Sequence, residues 1–265
     1  MAVALIAGEG DLPEEMARRM ALKGEKPLIY SMREDSGSLT SYADDVIPVF
    51  RADMASALRD MASRGVRQIM LAGLVSKTLM FRPEMMDDAA RQLIASLKTR
   101  DDHALLGRIV DFFEKSGFEV IGYTDILSDL LAKPGPIAGR APSDEESADV
   151  EYGIGIAKAV IPLSFGQSVI VNGRAVVAVE AMEGTDAAIL RAGSLCRRGV
   201  LVKMMRQGQD PRFDIPVVGP KTLSLMKKAG LTCLAVQSGW TLVLSPEKFA
   251  AEAAEHDLSV VGIDY

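Results

Sequence analysis

Asp214 is a lone carboxylate where a polar stretch turns apolar, in Gln209-Asp210-Pro211-Arg212-Phe213-Asp214-Ile215-Pro216-Val217-Val218-Gly219. Held at a strand end, it can bind a hard cation such as Mg²⁺ or take a proton from water. Paired with Arg212 on a loop, it does neither. Lys203 and Arg212 in the same region can neutralise phosphate oxygens. Glu183-Gly184-Thr185-Asp186 falls between a strand pattern and a helix pattern. Thr185 there suits a helix cap and Gly184 permits close approach. Free backbone N–H groups would meet an anion, or Glu183 and Asp186 would hold a cation. Gly8-Glu9-Gly10 occupies a similar place, as an anion cradle or as a plain tight turn. Asp101-Asp102 opens another helix. Capping explains one of these two acids and leaves the second as a candidate ligand.

The remaining composition narrows the chemistry. His103 and His256 are the only histidines, Cys196 and Cys233 the only cysteines, and no CxxC occurs. An imidazole metal cluster, a thiolate zinc site and a disulfide framework are excluded, which fits a reducing cytoplasm. Acid–base and metal chemistry therefore fall to carboxylates. The net charge of −6 speaks against a nucleic-acid partner but not against an anionic ligand. No apolar run is long enough to span a bilayer. The first residues lack a basic region and read as a core strand rather than a signal peptide.

The elements that must position these residues alternate. Strand patterns at residues 3–7, 27–31, 46–49 and 67–71 are separated by helix patterns opening at Leu12-Pro13 and at Asp53. Helical stretches near 83–98 and 103–115 follow, then a strand at 118–121. Strands separated by helices imply parallel pairing. Residues 131–143 hold three prolines and two glycines and fit no element of any length. Ser143 with Glu146 makes a capping box for a helix over 144–160. Asn172-Gly173 between two apolar runs is a hairpin signal. Strands near 200–203, 232–236, 241–244 and 259–263 alternate with helices at 220–229 and after Ser245-Pro246. The fold class is α/β, with two α/β domains: residues 1–132, Rossmann-like with a mainly parallel sheet, and residues 144–265, catalytic, with a mixed sheet. A Pro/Gly-rich linker at 133–143 joins them.

Several motifs occur in order along the whole chain: residues 5–13, Ala72-Gly73-Leu74-Val75-Ser76-Lys77, Asp101-Asp102, Phe118-Glu119-Val120-Ile121-Gly122, residues 164–169, 179–186 and 209–219, and Val261-Gly262-Ile263-Asp264. Together they resemble the UDP-2,3-diacylglucosamine pyrophosphatases of the LpxI type, from lipid A biosynthesis. The resemblance implies Mg²⁺-dependent hydrolysis of UDP-2,3-diacylglucosamine to 2,3-diacylglucosamine 1-phosphate (lipid X) and UMP. It implies two α/β domains holding the lipid product, and a homodimer; the amphiphilic substrate in turn suggests a cytoplasmic protein peripheral on the inner face of the inner membrane. The resemblance makes Asp214 the catalytic aspartate, sets Glu183, Gly184, Thr185 and Asp186 close to the phosphate and metal, and makes Lys203 the basic position ahead of the segment that opens at Gln209. Joined to the residue chemistry above, this gives Asp214, Asp186 and Lys203 as catalytic, Asp214, Asp186 and Asp102 as metal ligands, and Gly8, Gly10, Leu12, Gly73, Ser76, Glu183, Gly184, Thr185, Gln209 and Arg212 as substrate contacts. Two positions depart from the family pattern: Glu9, where a middle glycine is usual, and Arg206-Gln207, where Lys-Pro is usual.

Two other readings remain at this point. A dinucleotide oxidoreductase would need a third loop glycine where Pro13 stands, and an acid where Tyr30-Ser31-Met32-Arg33 follows the second strand. A non-catalytic sugar-nucleotide or lipid-binding protein would not need the carboxylates and cations of 183–214. Leu79-Met80-Phe81 and Met85-Met86 form a soft apolar patch suited to a core, a dimer contact or an acyl chain.

Overall fold

A computed structural model describes residues 2–49, 53–75, 82–99, 101–206 and 208–264. The chain divides into two compact units: Met1–Ser128 with Asp210–Asp214, and Asp129–Gln209 with Ile215–Tyr265. The sequence suggested no such exchange. The short segment carrying Asp214 packs within the N-terminal unit.

The N-terminal unit is a five-stranded parallel sheet in the order β3-β2-β1-β4-β5. Its strands are β1 (Ala2–Ala7), β2 (Leu28–Ser31), β3 (Asp45–Pro48), β4 (Val66–Ala72) and β5 (Glu119–Val120). The helices are α1 (Leu12–Leu22), α2 (Met54–Ser63), α3 (Asp88–Ala95), α4 (Asp102–Lys115) and α5 (Thr124–Leu127). Their starts follow the local chemistry. Pro13 lies in the first turn of α1, where its missing N–H costs nothing. The side chains of Asp53, Asp87 and Asp101 cap α2, α3 and α4. The 83–98 stretch is a short 3₁₀ turn (Pro83–Met85) followed by α3 rather than one helix. The core gathers Ala4, Tyr30, Met61, Ile69, Val110, Phe113 and Val120, and Phe213 joins it from the returning segment.

The C-terminal unit holds a mixed six-stranded sheet in the order β6-β13-β11-β9-β7-β8 and a two-stranded pair, β10-β12. The strands are β6 (Gly135–Gly139), β7 (Ser168–Asn172), β8 (Ala175–Val179), β9 (Val200–Lys203), β10 (Val217–Val218), β11 (Cys233–Gln237), β12 (Leu242–Val243) and β13 (Ser259–Ile263). The helices are α6 (Asp144–Val160), α7 (Thr185–Leu195), α8 (Pro220–Ala229) and α9 (Pro246–Glu255). The stretch 131–143, read from sequence as a linker without elements, instead contains β6. Proline is tolerated there because β6 is an edge strand, antiparallel to β13, that leaves one row of backbone groups unpaired. Gly139 is required by close approach as well: a Cβ would lie 1.9 Å from the Leu258 carbonyl oxygen. In the β7–β8 hairpin the turn residues are Gly173 and Arg174, both at φ 58°, the backbone of a type I′ turn. The buried Asp149 carboxylate accepts both of their N–H groups, at 2.8 and 2.6 Å.

The capping box of α6 is the centre of a larger network. Glu146 accepts two bonds from Arg140 at 2.7 Å each, one from the Thr232 hydroxyl at 2.6 Å and one from the Ser143 N–H at 2.8 Å. Burial alone would raise its pKa, but Arg140, Thr232 and the Ser143 N–H overcome that and hold it at about 2, against 4.5 unperturbed. A depressed carboxylate contributes stability that is fully present above the unfolded pKa and lost as pH falls through the folded one. The window is thus pH 4.5 down to about 2, and the contribution is on the order of 3 kcal/mol. Glu146→Gln is expected to lower the urea midpoint at pH 7 and to flatten its pH dependence across that window. An unchanged profile would contradict the assignment.

Candidate functional site

In the N-terminal unit the strand order reverses between β1 and β4, and the carboxyl ends of two such strands are where parallel α/β sheets bind ligands. Gly8 and Gly73 leave those two ends. Glu9 and Leu74 exchange both backbone hydrogen bonds at 2.8 Å. A Cβ on Gly8 would lie 2.6 Å from the Leu74 oxygen, and one on Gly73 would lie 2.7 Å from the Glu9 oxygen. Both glycines are therefore demanded by two loops touching backbone to backbone. Gly10 has φ 95° and open space around it. Leu12 is buried at the start of α1. Ser76, and with it Met80 and Phe81, lies outside the described residues, as does the side chain of Asp102.

The returning segment 210–214 is pinned by Arg212. Its Nε and Nη2 meet the Asp210 carboxylate, with Nη2 at 2.7 Å, and its Nη1 donates to Glu114 at 2.6 Å and to the Val120 carbonyl at 3.2 Å. These contacts, Asp210 first, push the Arg212 pKa up, and the same guanidinium holds the Asp210 carboxyl below its ordinary range. Phe213 is buried, its ring 6.3 Å from that of His103. Asp214 is half-buried and sits at φ 58°, in the left-handed region. Arg212 thus anchors the segment, and Asp214 is held by a backbone that Asp and Asn tolerate better than other non-glycine residues. Gln209, just ahead of the segment, is buried.

In the C-terminal unit, α7 begins at the end of β8. Gly184, its N-cap residue, has φ 81°, and no side chain caps the helix. Thr185, a candidate cap from sequence, is used differently. Its hydroxyl accepts from Lys203 Nζ at 2.9 Å and lies 3.5 Å from Ser168 Oγ. Lys203 ends β9, directly opposite Ser168 in the antiparallel ladder, and is only 7% exposed. A buried ammonium beside an uncapped helix start is chemistry for an anion. The acids nearby are partnered: Glu183 accepts from Arg191 at 2.5 Å, and Asp186 pairs with Lys221 at 2.8 Å. Burial would raise the Glu183 pKa, but its own backbone N–H and Arg191 hold it below the usual range. Among the described residues, no three or more His, Cys, Asp or Glu lie close enough together to hold a metal ion.

Sequence reasoning missed Ser168. It lies in the 164–169 motif and opens an otherwise apolar strand, but only the β7–β9 register places it against Lys203. Arg206, which stands where the family pattern has lysine, donates through Nη1 to Ser164 Oγ at 2.5 Å.

Comparison with known proteins extends this picture over the whole chain. Residues 2–130 match the model of the LpxI N-terminal domain, and residues 133–261 match that of the LpxI C-terminal domain. The UDP-2,3-diacylglucosamine pyrophosphatase LpxI of Caulobacter vibrioides is 30% identical over 273 residues, covering 98% of this chain and 96% of that protein. Solved structures of two enzymes also share some likeness: N5-carboxyaminoimidazole synthetase from Staphylococcus aureus (18% identical, TM-score 0.28) and N5-carboxyaminoimidazole ribonucleotide synthetase from Thermotoga maritima (13% identical, TM-score 0.24). In each case the likeness covers 64% of this chain and 38% of the other, and at such scores it carries no argument. Two domains matched end to end, with one relative aligned along nearly its full length, place the chain in the LpxI family.

Proposed function

We propose that this chain hydrolyses the pyrophosphate of UDP-2,3-diacylglucosamine to 2,3-diacylglucosamine 1-phosphate and UMP. The observation that carries the reading is the match of both domains to the family across the chain. The local chemistry agrees with it. The Lys203 ammonium and the open N–H groups of α7 suit phosphate oxygens, and their positive charge grows in value as negative charge develops on those oxygens in the transition state. Asp214 takes the proton of the attacking water. The water oxygen bonds to one phosphorus, the bridging P–O bond breaks, and the departing phosphate carries away the electron pair. Arg212 acts by positioning Asp214.

We also assign Mg²⁺ to the reaction, with Asp214, Asp186 and Asp102 as the acids from which its one or two carboxylate ligands would be drawn. The donors fit: all are hard carboxylate oxygens. Mg²⁺ keeps several waters and takes one or two carboxylates plus substrate phosphates, so it does not require a ready-made cage of three acids. The exposed Asp186–Lys221 pair is worth about 0–1 kcal/mol and can give way to a cation. When bound, the ion offsets charge on the phosphate oxygens.

The acyl chains need an apolar home, since each buried CH₂ contributes about 0.8 kcal/mol. Of the sulfur-rich patch, Met86 is buried and Met85 half-buried. Leu163, Phe165 and Met182 are exposed on the loops that lead into β7 and out of β8. These loops touch: a Cβ on Gly166 would lie 2.3 Å from the Glu180 oxygen. We assign this apolar rim to the membrane surface that holds the substrate, the protein being peripheral on the cytoplasmic face and a homodimer. Among the described residues no helix is long and apolar enough to cross a membrane.

Incubation with UDP-2,3-diacylglucosamine and Mg²⁺ is expected to release UMP and lipid X in equal amounts, and EDTA to abolish the release. No UMP under either condition would contradict the reading.

A further inference from the structure

Arg33 is a half-buried cation that the mechanism does not use. Among the described residues, its Nε and Nη1 are buried and have no hydrogen-bond partner. Buried donors of a guanidinium are almost always matched, because leaving them unmade is destabilising, so an orphaned pair calls for a reason. The loop around it does not supply one. Its shape is held by Ser31, whose Oγ accepts from the Arg33 N–H at 3.3 Å and from the Ser36 hydroxyl at 2.6 Å. The guanidinium is not spent in that work.

Its place in the sheet is informative. Ser31 ends β2 opposite Ala7, the last residue of β1, and the Met32 N–H donates to the Ala7 carbonyl at 2.9 Å. The chain therefore leaves β2 beside the point where Gly8-Glu9-Gly10 leaves β1, next to the reversal of strand order. In dinucleotide-binding sheets an acid after the second strand reads the ribose 2′-hydroxyl and an arginine there accommodates a 2′-phosphate; a cation at this place in the sheet is therefore within reach of a bound nucleotide even where the dinucleotide glycines are absent. The start of α1 supplies no positive side chain of its own. Glu14 and Glu15 lie in its first turn, and Glu9 and Asp11 are exposed just ahead. Glu15 is already tied to Arg18 and Arg19. A phosphate at the start of α1 needs a cation from elsewhere, and the backbone brings Arg33 out beside that loop.

We propose that Arg33 is the phosphate anchor of a nucleotide site in the N-terminal unit, taking the UMP portion of the substrate. The choice of UMP rests on the pyrophosphatase reading; the anion site itself rests on the orphaned guanidinium. An arginine fork donates two bonds to a phosphate, which a lysine point charge does not reproduce.

The test uses the full chain, with UMP as the probe in calorimetric titration. Wild type is expected to bind UMP, Arg33→Met to bind it about tenfold or more weakly, and Arg33→Lys to fall between. Without ligand, Arg33→Met is expected to melt at the same temperature as wild type or higher. With substrate, KM should rise more than kcat falls. The proposal is overturned if wild type does not bind UMP or if Arg33→Met binds it equally well. A lower melting temperature for Arg33→Met and Arg33→Lys alike, without ligand, also overturns it, because the guanidinium would then have a structural partner. Lipid X release by wild type is measured alongside. Turnover with Arg33-independent UMP binding removes the anchor and leaves the pyrophosphatase. Arg33-dependent UMP binding without turnover removes the pyrophosphatase and leaves the anchor.

Discussion

Asp214→Asn is expected to lower kcat by about 10²–10⁴, equivalent to about 3–5 kcal/mol of barrier, with substrate affinity little changed. The amide cannot accept the water proton, so the loss falls on the chemical step. Asparagine is the right replacement because of the backbone. At φ 58° Asp214 occupies the left-handed region, which Asn shares readily and Ala does not. Asp214→Ala would add a strain of about 1 kcal/mol to the chemical loss and confuse the two. The segment should keep its place in either variant. Arg212 still meets Asp210, Glu114 and the Val120 carbonyl, and Phe213 still fills the N-terminal core. Turnover of Asp214→Asn within about tenfold of wild type would remove this residue from the mechanism.

Lys203→Met is expected to lower kcat/KM by about 10²–10³, as loss of one preorganised donor to a developing charge does elsewhere, or about 3–4 kcal/mol. Its effect on folding should be opposite in sign or absent. Lys203 is 7% exposed, and among the described residues the hydroxyl of Thr185, at 2.9 Å, is the partner its ammonium has. A buried ammonium matched by a neutral hydroxyl is costly to hold, and methionine fills similar space without that cost. Thermal melting together with kinetics checks both halves. A variant that melts well below wild type would mean that the lysine supports the fold rather than the reaction.

The sequence made much of the fold legible. The α6 capping box and β13 were placed to the residue and α8 was found where expected, because capping, Pro-first helices and short apolar runs between turn residues are local signals. The stretch 131–143 misled because prolines and glycines read as a break, whereas an edge strand with one solvent-facing side accepts both. The hairpin was recognised at Asn172-Gly173, one residue from its turn pair Gly173-Arg174. The candidate site was legible in its residue types but not in its partnerships. Lys203, Thr185 and Ser168 lie far apart in sequence and meet only through the register of β7 on β9. Arg212 reads equally well as a phosphate ligand or an anchor until Glu114 and the Val120 carbonyl are seen to hold it. That residues 210–214 join the N-terminal unit could not be read at all, because Phe213 looks like any core residue until the core it fills is known.

The central claim is that carboxylates, a lysine and Mg²⁺ split a phosphoanhydride with no imidazole or thiol taking part. It is tested most directly in a protein lacking both side-chain types. His103 packs near Phe213, His256 ends α9 beside Glu252, and burial pushes the Cys196 and Cys233 thiols up, Cys233 to about 12, which leaves them protonated at neutral pH. The variant His103→Gln, His256→Gln, Cys196→Ala, Cys233→Ala is assayed for UMP release from UDP-2,3-diacylglucosamine in Mg²⁺. The account predicts a kcat within about tenfold of wild type. A folded variant whose turnover falls by about 10³ or more, the scale of losing a general base or nucleophile, would contradict it.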